Sequence, residues 1–145
     1  MRYFDTNFLV PLILPERTSP SVERFMAEAP ADELAISHWT RVEFSSLLAR
    51  EVRMGGLQRI AAETADAKFE AIVASSFTVL LPTAADFDLA KTYLAKPEAG
   101  LRGGDALHLA IAANHQATAI YSFDRTLLKA GRALGLPVSM GIHAG

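Results

Sequence analysis

The stretch Arg2–Asn7, RYFDTN, has a near-echo at Ile120–Thr126, IYSFDRT. Each is an apolar run of strand length that stops on an aspartate, Asp5 or Asp124, followed by a small polar or charged residue. Similar short apolar runs occur at Arg2–Phe4, Leu34–Ser37, Thr78–Leu81, Thr118–Phe123 and Val138–Met140. Longer segments with helical periodicity lie between them. TSPSVERFMAEA opens with Thr18 or Ser19 as a cap and Pro20 in the first turn. TRVEFSSLLAREVRMGG runs from Thr40 to a glycine stop at Gly55–Gly56, and LQRIAAETADAKFEAIVASS follows at once, which predicts an antiparallel helical hairpin. AADFDLAKTYLA, GDALHLAIAANHQ and DRTLLKAGRALG supply three more helices. Strands alternating with helices predict an α/β fold: a central parallel sheet of about five strands, flanked by helices.

The chain has 145 residues, of which 50% are hydrophobic and 21% charged, so one domain spanning 1–145 with a substantial core is expected. Disorder is excluded by the same composition. There is no cysteine, which removes disulfides, thiolate zinc sites and cysteine nucleophiles. No apolar run reaches membrane-spanning length and no secretory leader is visible, so a cytoplasmic protein with no membrane partner is expected. The net charge of −2 predicts no global attraction to nucleic acid, but phosphate binding depends on local charge. Arg41, Arg50, Arg53, Arg59, Arg102, Arg125, Lys129 and Arg132 fall in or beside expected helices, either as solvated faces or as a local basic groove.

In open parallel sheets the ligand crevice lies at the carboxyl ends of the strands. Asp5 and Asp124 both stand there. Glu43 is expected in the first turn of the helix after LAIS, and Asp105 follows Gly103–Gly104 and opens an apolar helix. Taken singly, Asp5, Asp105 and Asp124 read as N-caps, and Glu43 sits three residues after Thr40, the spacing of a capping box. Taken together they read differently. Unit charges 4 Å apart interact by about 4 kcal/mol at an effective dielectric near 20. Four converging carboxylates therefore call for a neutralising cation, and a hard divalent ion such as Mg²⁺ or Mn²⁺ is the simplest. Such an ion activates water and stabilises charge on a phosphodiester, which makes phosphodiester hydrolysis the natural reaction.

YFDTN, WTRVEF, LRGGDALHLAIA and SFDRTLL resemble, in order and spacing, the four-acid pattern of PIN-domain nucleases, and most closely that of VapC-type toxins of bacterial toxin–antitoxin pairs. The resemblance covers essentially the whole chain, and RGGDALHLAIA is its most specific piece. It implies a metal-dependent endoribonuclease that cuts structured RNA such as tRNA or rRNA, a VapB-type antitoxin that covers the site, and a homodimer. It also implies that Asp5, Glu43, Asp105 and Asp124 form the catalytic, Mg²⁺- or Mn²⁺-binding set. Asp5 and Asp105 are then the most direct ligands, while Glu43 and Asp124 act directly or through water. Ser122 matches a hydroxyl that the family tends to carry two residues before the last acid. Thr6 and Asn7 are expected to support a carboxylate or contact phosphate.

Other residues have competing readings. His108, three residues after Asp105, either orients a carboxylate or substrate or is a hydrogen-bonded structural histidine. His38, His115 and His143 lack ligand spacing. Trp39 either stacks on a base or packs beneath the Glu43 helix. Asp86 and Asp88 are expected at an exposed helix start. Two rival functions remain open: a receiver-like Mg²⁺-binding phosphoacceptor domain, which wants paired acids after the first strand, and a catalytically silent PIN-like binding protein.

Overall fold

Five strands and seven α-helices occur among residues 1–142, the part of the chain that the computed structural model describes. His143, Ala144 and Gly145 lie outside the described residues. The strands are β1 (Arg2–Phe4), β2 (Leu34–Ser37), β3 (Thr78–Leu80), β4 (Ala119–Tyr121) and β5 (Val138–Ser139). They form one parallel sheet in the order β3-β2-β1-β4-β5. β1, the first strand in sequence, is therefore the central one. It pairs with β2 on one side, Tyr3 opposite Ala35, and with β4 on the other, Tyr3 opposite Ile120. The sheet has the expected class and strand number; three of its strands are shorter at their ends than the apolar runs that announced them.

The helices are α1 (Thr6–Ile13), α2 (Ser19–Glu28), α3 (His38–Arg53), α4 (Arg59–Ser76), α5 (Ala84–Tyr93), α6 (Gly103–Asn114) and α7 (Arg125–Ala133). Strand side chains alternate between the two faces of the sheet. Phe4, Leu34 and Ile36 bury into one core with Phe8, Leu9, Val22, Phe44, Leu48, Phe69 and Val73 from α1 to α4. Tyr3, Ala35, Leu80 and Ile120 bury into the other, with Ala90, Ala106, Leu109, Ala110, Ile111, Ala112 and Leu127 from α5 to α7.

α3 and α4 form the expected antiparallel hairpin. Arg41 meets Glu70 at 3.0 Å, Ser45 Oγ donates to Asp66 Oδ1 at 3.0 Å, and the Phe44 and Phe69 rings stack with centroids 4.1 Å apart. At the bend Gly55 takes φ +79°, a left-handed conformation that costs glycine little. Among the described residues no helix is long and apolar enough to cross a membrane.

Four local expectations change. α1 is an additional helix: Pro11 lies inside it, and a proline there suppresses the helical signal because it lacks one backbone donor. The capping box falls to Ser37 and Thr40 rather than Thr40 and Glu43, since Thr40 N–H donates to Ser37 Oγ and Thr40 Oγ1 accepts from Ser37 N–H. α3 thus starts at His38, and Glu43 stands in its second turn without capping duty. Asp105 is the third residue of α6, with Arg102 in the N-cap position, so it does not cap that helix. Asp86 is only 1% exposed: its carboxylate accepts from Thr83 N–H at 2.9 Å and from Asn114 Nδ2 at 2.7 Å, tying α5 to the end of α6. Asp88 is exposed, as expected.

Candidate active site

The strand order reverses its direction of growth at β1. The chain first adds β2 and β3 on one side, then β4 and β5 on the other, so the switch point lies between β1 and β4. Asp5 directly follows β1, and Asp124 lies three residues beyond β4, where its Oδ1 accepts from Leu127 N–H at 3.1 Å and caps α7. α3 supplies Glu43 and the first turn of α6 supplies Asp105. These four acids, with Thr6, Asn7 and Leu47, line a single cleft of about 180 Å³.

Asp5 is held rigidly and is 4% exposed. Its Oδ1 accepts from Thr6 N–H at 2.8 Å, and its Oδ2 from Ser122 Oγ–H at 2.7 Å. Ser122 Oγ in turn accepts from Asp124 N–H at 3.0 Å, so one hydroxyl links the ends of β1 and β4. Asn7 does not reach a carboxylate: its Oδ1 accepts from Phe123 N–H at 3.0 Å and fixes the loop before Asp124. Thr6 Oγ1–H donates to Glu43 Oε1 at 2.6 Å.

His108 also bonds Glu43 Oε1, through Nε2, and the same nitrogen lies 3.3 Å from Asp5 Oδ1. Ionised carboxylates only accept, so Nε2 carries a hydrogen. The other ring nitrogen, Nδ1, is 2.7 Å from Tyr3 Oη, which is 2.8 Å from Ser37 Oγ. The two readings of His108 therefore merge: it is fully buried and it orients a carboxylate. Tyr3 carried no signal as a site residue, because its link to His108 spans 105 positions and two different elements. Its only trace is the strand alternation that turns it towards α6.

Charge in the cleft is unevenly balanced. Burial, with the nearby charges of Asp5 and Asp124, pushes Asp105 up to about 6. Burial also raises Asp5, against the opposing pull of His108 and Ser122. Burial would raise Glu43 too, but the His108 and Thr6 bonds outweigh it and hold this acid below its usual range. Burial disfavours the charged form of His108, yet Tyr3, Glu43 and Asp5 keep its pKa well above the ordinary value. His108 thus offsets charge chiefly at Asp5 and Glu43, and its pull on Asp105 is outweighed there by burial and the neighbouring acids.

This donor set fits a hard divalent cation: oxygen ligands from separate segments, crowded enough that neighbouring acids help to raise Asp105. Asp5, Glu43 and His108 offer ligand atoms within 4.8 Å of one another, but His108 lies behind the two acids and not on the cleft wall. The remaining candidates lie apart from it. His38 Nδ1 is 2.9 Å from Arg41 Nη1, and His115 Nδ1–H donates to Ile111 O at 2.9 Å. Trp39 Nε1–H donates to Gly104 O at 3.2 Å, which packs the Glu43 helix against the start of α6. Arg102 is exposed.

Residues 2–133 match the model of the PIN domain. No curated protein sequence matches the chain. Among solved structures, Mycobacterium tuberculosis VapC20, described as a sarcin–ricin loop cleaving toxin, aligns at a TM-score of 0.73 with 20% identity, covering 94% of this chain and 96% of that one. VapBC-1 from nontypeable Haemophilus influenzae aligns at 0.68 with 20% identity, over 97% and 98% of the two chains. FitAcB from Neisseria gonorrhoeae aligns at 0.68 with 16% identity over the same shares. At these identities the likeness is one of fold, whereas the family model spans nearly the entire sequence: the chain belongs to the PIN domain family.

Proposed function

We propose that this protein is a metal-dependent endoribonuclease of the VapC type, acting on structured RNA such as tRNA or rRNA. The observation that carries the reading is the convergence of Asp5, Glu43, Asp105 and Asp124, from four distant segments, on one cleft at the switch point of a parallel sheet. The likeness to a toxin described as cleaving the sarcin–ricin loop supports the substrate class.

Asp5 and Asp105 are the residues to hold Mg²⁺ or Mn²⁺ directly, with Glu43 and Asp124 completing the set directly or through water. Bound there, the ion lowers the pKa of an attacking water and offsets charge on the scissile phosphate. The chain's own contribution is placement. Thr6 N–H and Ser122 Oγ–H occupy one lone pair on each Asp5 oxygen and leave the others fixed in direction. Asp124 spends Oδ1 on its helix cap, which leaves Oδ2 to orient water. Asn7 and Ser122 keep that turn against β1. No covalent intermediate is needed.

The VapBC name of the Haemophilus influenzae relative supports a VapB-type antitoxin as partner. A homodimer is supported by an apolar groove of about 510 Å³ lined by Trp39, Val42, Phe87, Leu94 and Leu107, where Val42 and Phe87 are more than half exposed. The whole chain is read as one such unit, working in the cytoplasm.

The test is to incubate the purified protein with total cellular RNA, with and without Mn²⁺, and to map new ends by sequencing. Discrete cuts that need the ion, and that vanish in EDTA or in Asp105→Asn with the fold intact, are expected. Cleavage that persists in EDTA would defeat the mechanism.

A further inference from the structure

Tyr3 and His108 sit behind the carboxylate cleft in a core that is mostly apolar. The layer between the sheet and α5–α7 is built of alanine, leucine and isoleucine, and these two side chains bring polar atoms into its centre. Buried polar atoms cost free energy unless each is bonded. Here they are: among the described residues no buried side-chain nitrogen or oxygen lacks a partner. The bonds form one line, Ser37 Oγ to Tyr3 Oη at 2.8 Å, Tyr3 Oη to His108 Nδ1 at 2.7 Å, and His108 Nε2 to Glu43 Oε1. It starts at the end of β2, crosses β1, and reaches the acid on α3 through a ring on α6.

The division of labour on Glu43 gives this line its purpose. Oε1 takes both Thr6 Oγ1–H and His108 Nε2–H, so one oxygen is anchored from behind. Oε2 is turned towards Gly104, close enough that a β-carbon there would lie 2.9 Å away. A glutamate has three side-chain torsions, and on a helix it ordinarily samples many rotamers. Anchored at one oxygen, it presents the other in a single direction. His108 lies off the cleft wall, so its contribution passes through Glu43.

We propose that Tyr3 and His108 are a positioning pair, in which the Tyr3 hydroxyl fixes the His108 ring so that Nε2–H clamps one oxygen of Glu43 and thereby fixes the direction of the other. The inference rests on the metal-dependent reading of that cleft and adds two residues to it. Partners one step removed from metal ligands typically contribute about 10- to 100-fold in affinity or rate.

The test uses Tyr3→Phe, which keeps the ring and removes one oxygen, together with His108→Leu and His108→Gln. Mn²⁺ dissociation constants are measured by calorimetry, and kcat and KM for RNA cleavage are measured on the same samples at matched folded fraction. Tyr3→Phe should weaken Mn²⁺ binding or lower kcat by about tenfold with KM for RNA unchanged, and His108→Leu by about 100-fold. His108→Gln, whose amide can donate to Glu43, should recover most of that loss. Adding Tyr3→Phe to His108→Gln should then cost little more, because tyrosine acts through the ring. Equal metal affinity and kcat in Tyr3→Phe and the parent would overturn the pairing and leave the nuclease reading standing, as would fully additive losses in the double variant. A parent protein that binds Mn²⁺ with the predicted variant pattern but cuts no RNA would keep the pairing and remove the nuclease reading.

Discussion

The two faces of the sheet are packed by different chemistry. On the α1–α4 side, Phe4, Phe8, Phe25, Tyr121 and Phe123 form one continuous aromatic cluster, with Phe8 and Phe123 stacked at 4.7 Å, and Phe44 on Phe69 continues it into the hairpin. On the α5–α7 side, Ala35, Ala90, Ala106, Ala110 and Ala112 share the layer with leucine and isoleucine. Large rings bury area and fill irregular space; small side chains let a helix axis approach the strands closely. α6 is on the small-residue side, and it carries Asp105 and His108. The aromatic side therefore buries the larger side chains, while the small-residue side seats α6, which carries Asp105.

That contrast can be broken from either side. Phe69→Ala, on the aromatic side and away from the cleft, should cost about 3–5 kcal/mol of unfolding free energy. Denaturant titration would show it, and calorimetry on the folded fraction should find Mn²⁺ affinity unchanged. Ala110→Leu, overfilling the other side, should cost less, about 1–3 kcal/mol. It should nevertheless weaken Mn²⁺ binding, because α6 must move away from the strands. Loss of Mn²⁺ affinity in Phe69→Ala but not in Ala110→Leu would reverse the assignment of roles.

Gly104→Ala sharpens the comparison at a single atom. The new β-carbon would meet Glu43 Oε2 at 2.9 Å and Trp39 Cζ2 at 3.2 Å. Trp39 is tied to Gly104 O, so Glu43 must shift against its bonds to Thr6 and His108, and cleavage should fall about tenfold.

The smallest effect concerns pH. Asp105, pushed up to about 6 by burial and by Asp5 and Asp124, resists ionisation in the folded chain more than in the unfolded one. Its penalty is absent at low pH, develops as pH rises from the usual carboxylate range through about 6, and is complete above that. Solvent screening at this partly exposed group reduces the effect to on the order of 1 kcal/mol. In EDTA, Asp105→Asn should therefore be more stable than the parent at pH 7.5, with a smaller gain at pH 5. A gain that grows towards acid pH would contradict the sign.

The strands are legible because they are local features, apolar runs of the right length, and two of these runs end on Asp5 and Asp124. The sheet class followed from their alternation with helices. Helix starts were less legible, since Ser37 and Thr40 compete for the same capping role and Pro11 disguises α1. The burial of Asp86 leaves no local trace because its partner, Asn114, lies 28 positions downstream. Tyr3 lies beyond such a reading for the same reason: no periodicity relates this strand residue to His108, on a helix 105 positions later.

The bond from Ser122 to Asp5 closes a loop of 117 residues, and the strand that opens the chain is flanked by the fourth strand made. During synthesis, β1 must wait with one edge uncovered until β4 emerges, and the pocket has no floor until then. The four acids therefore cannot gather until β4 and the turn after it have been made, so the cleft forms late relative to the strand at its centre.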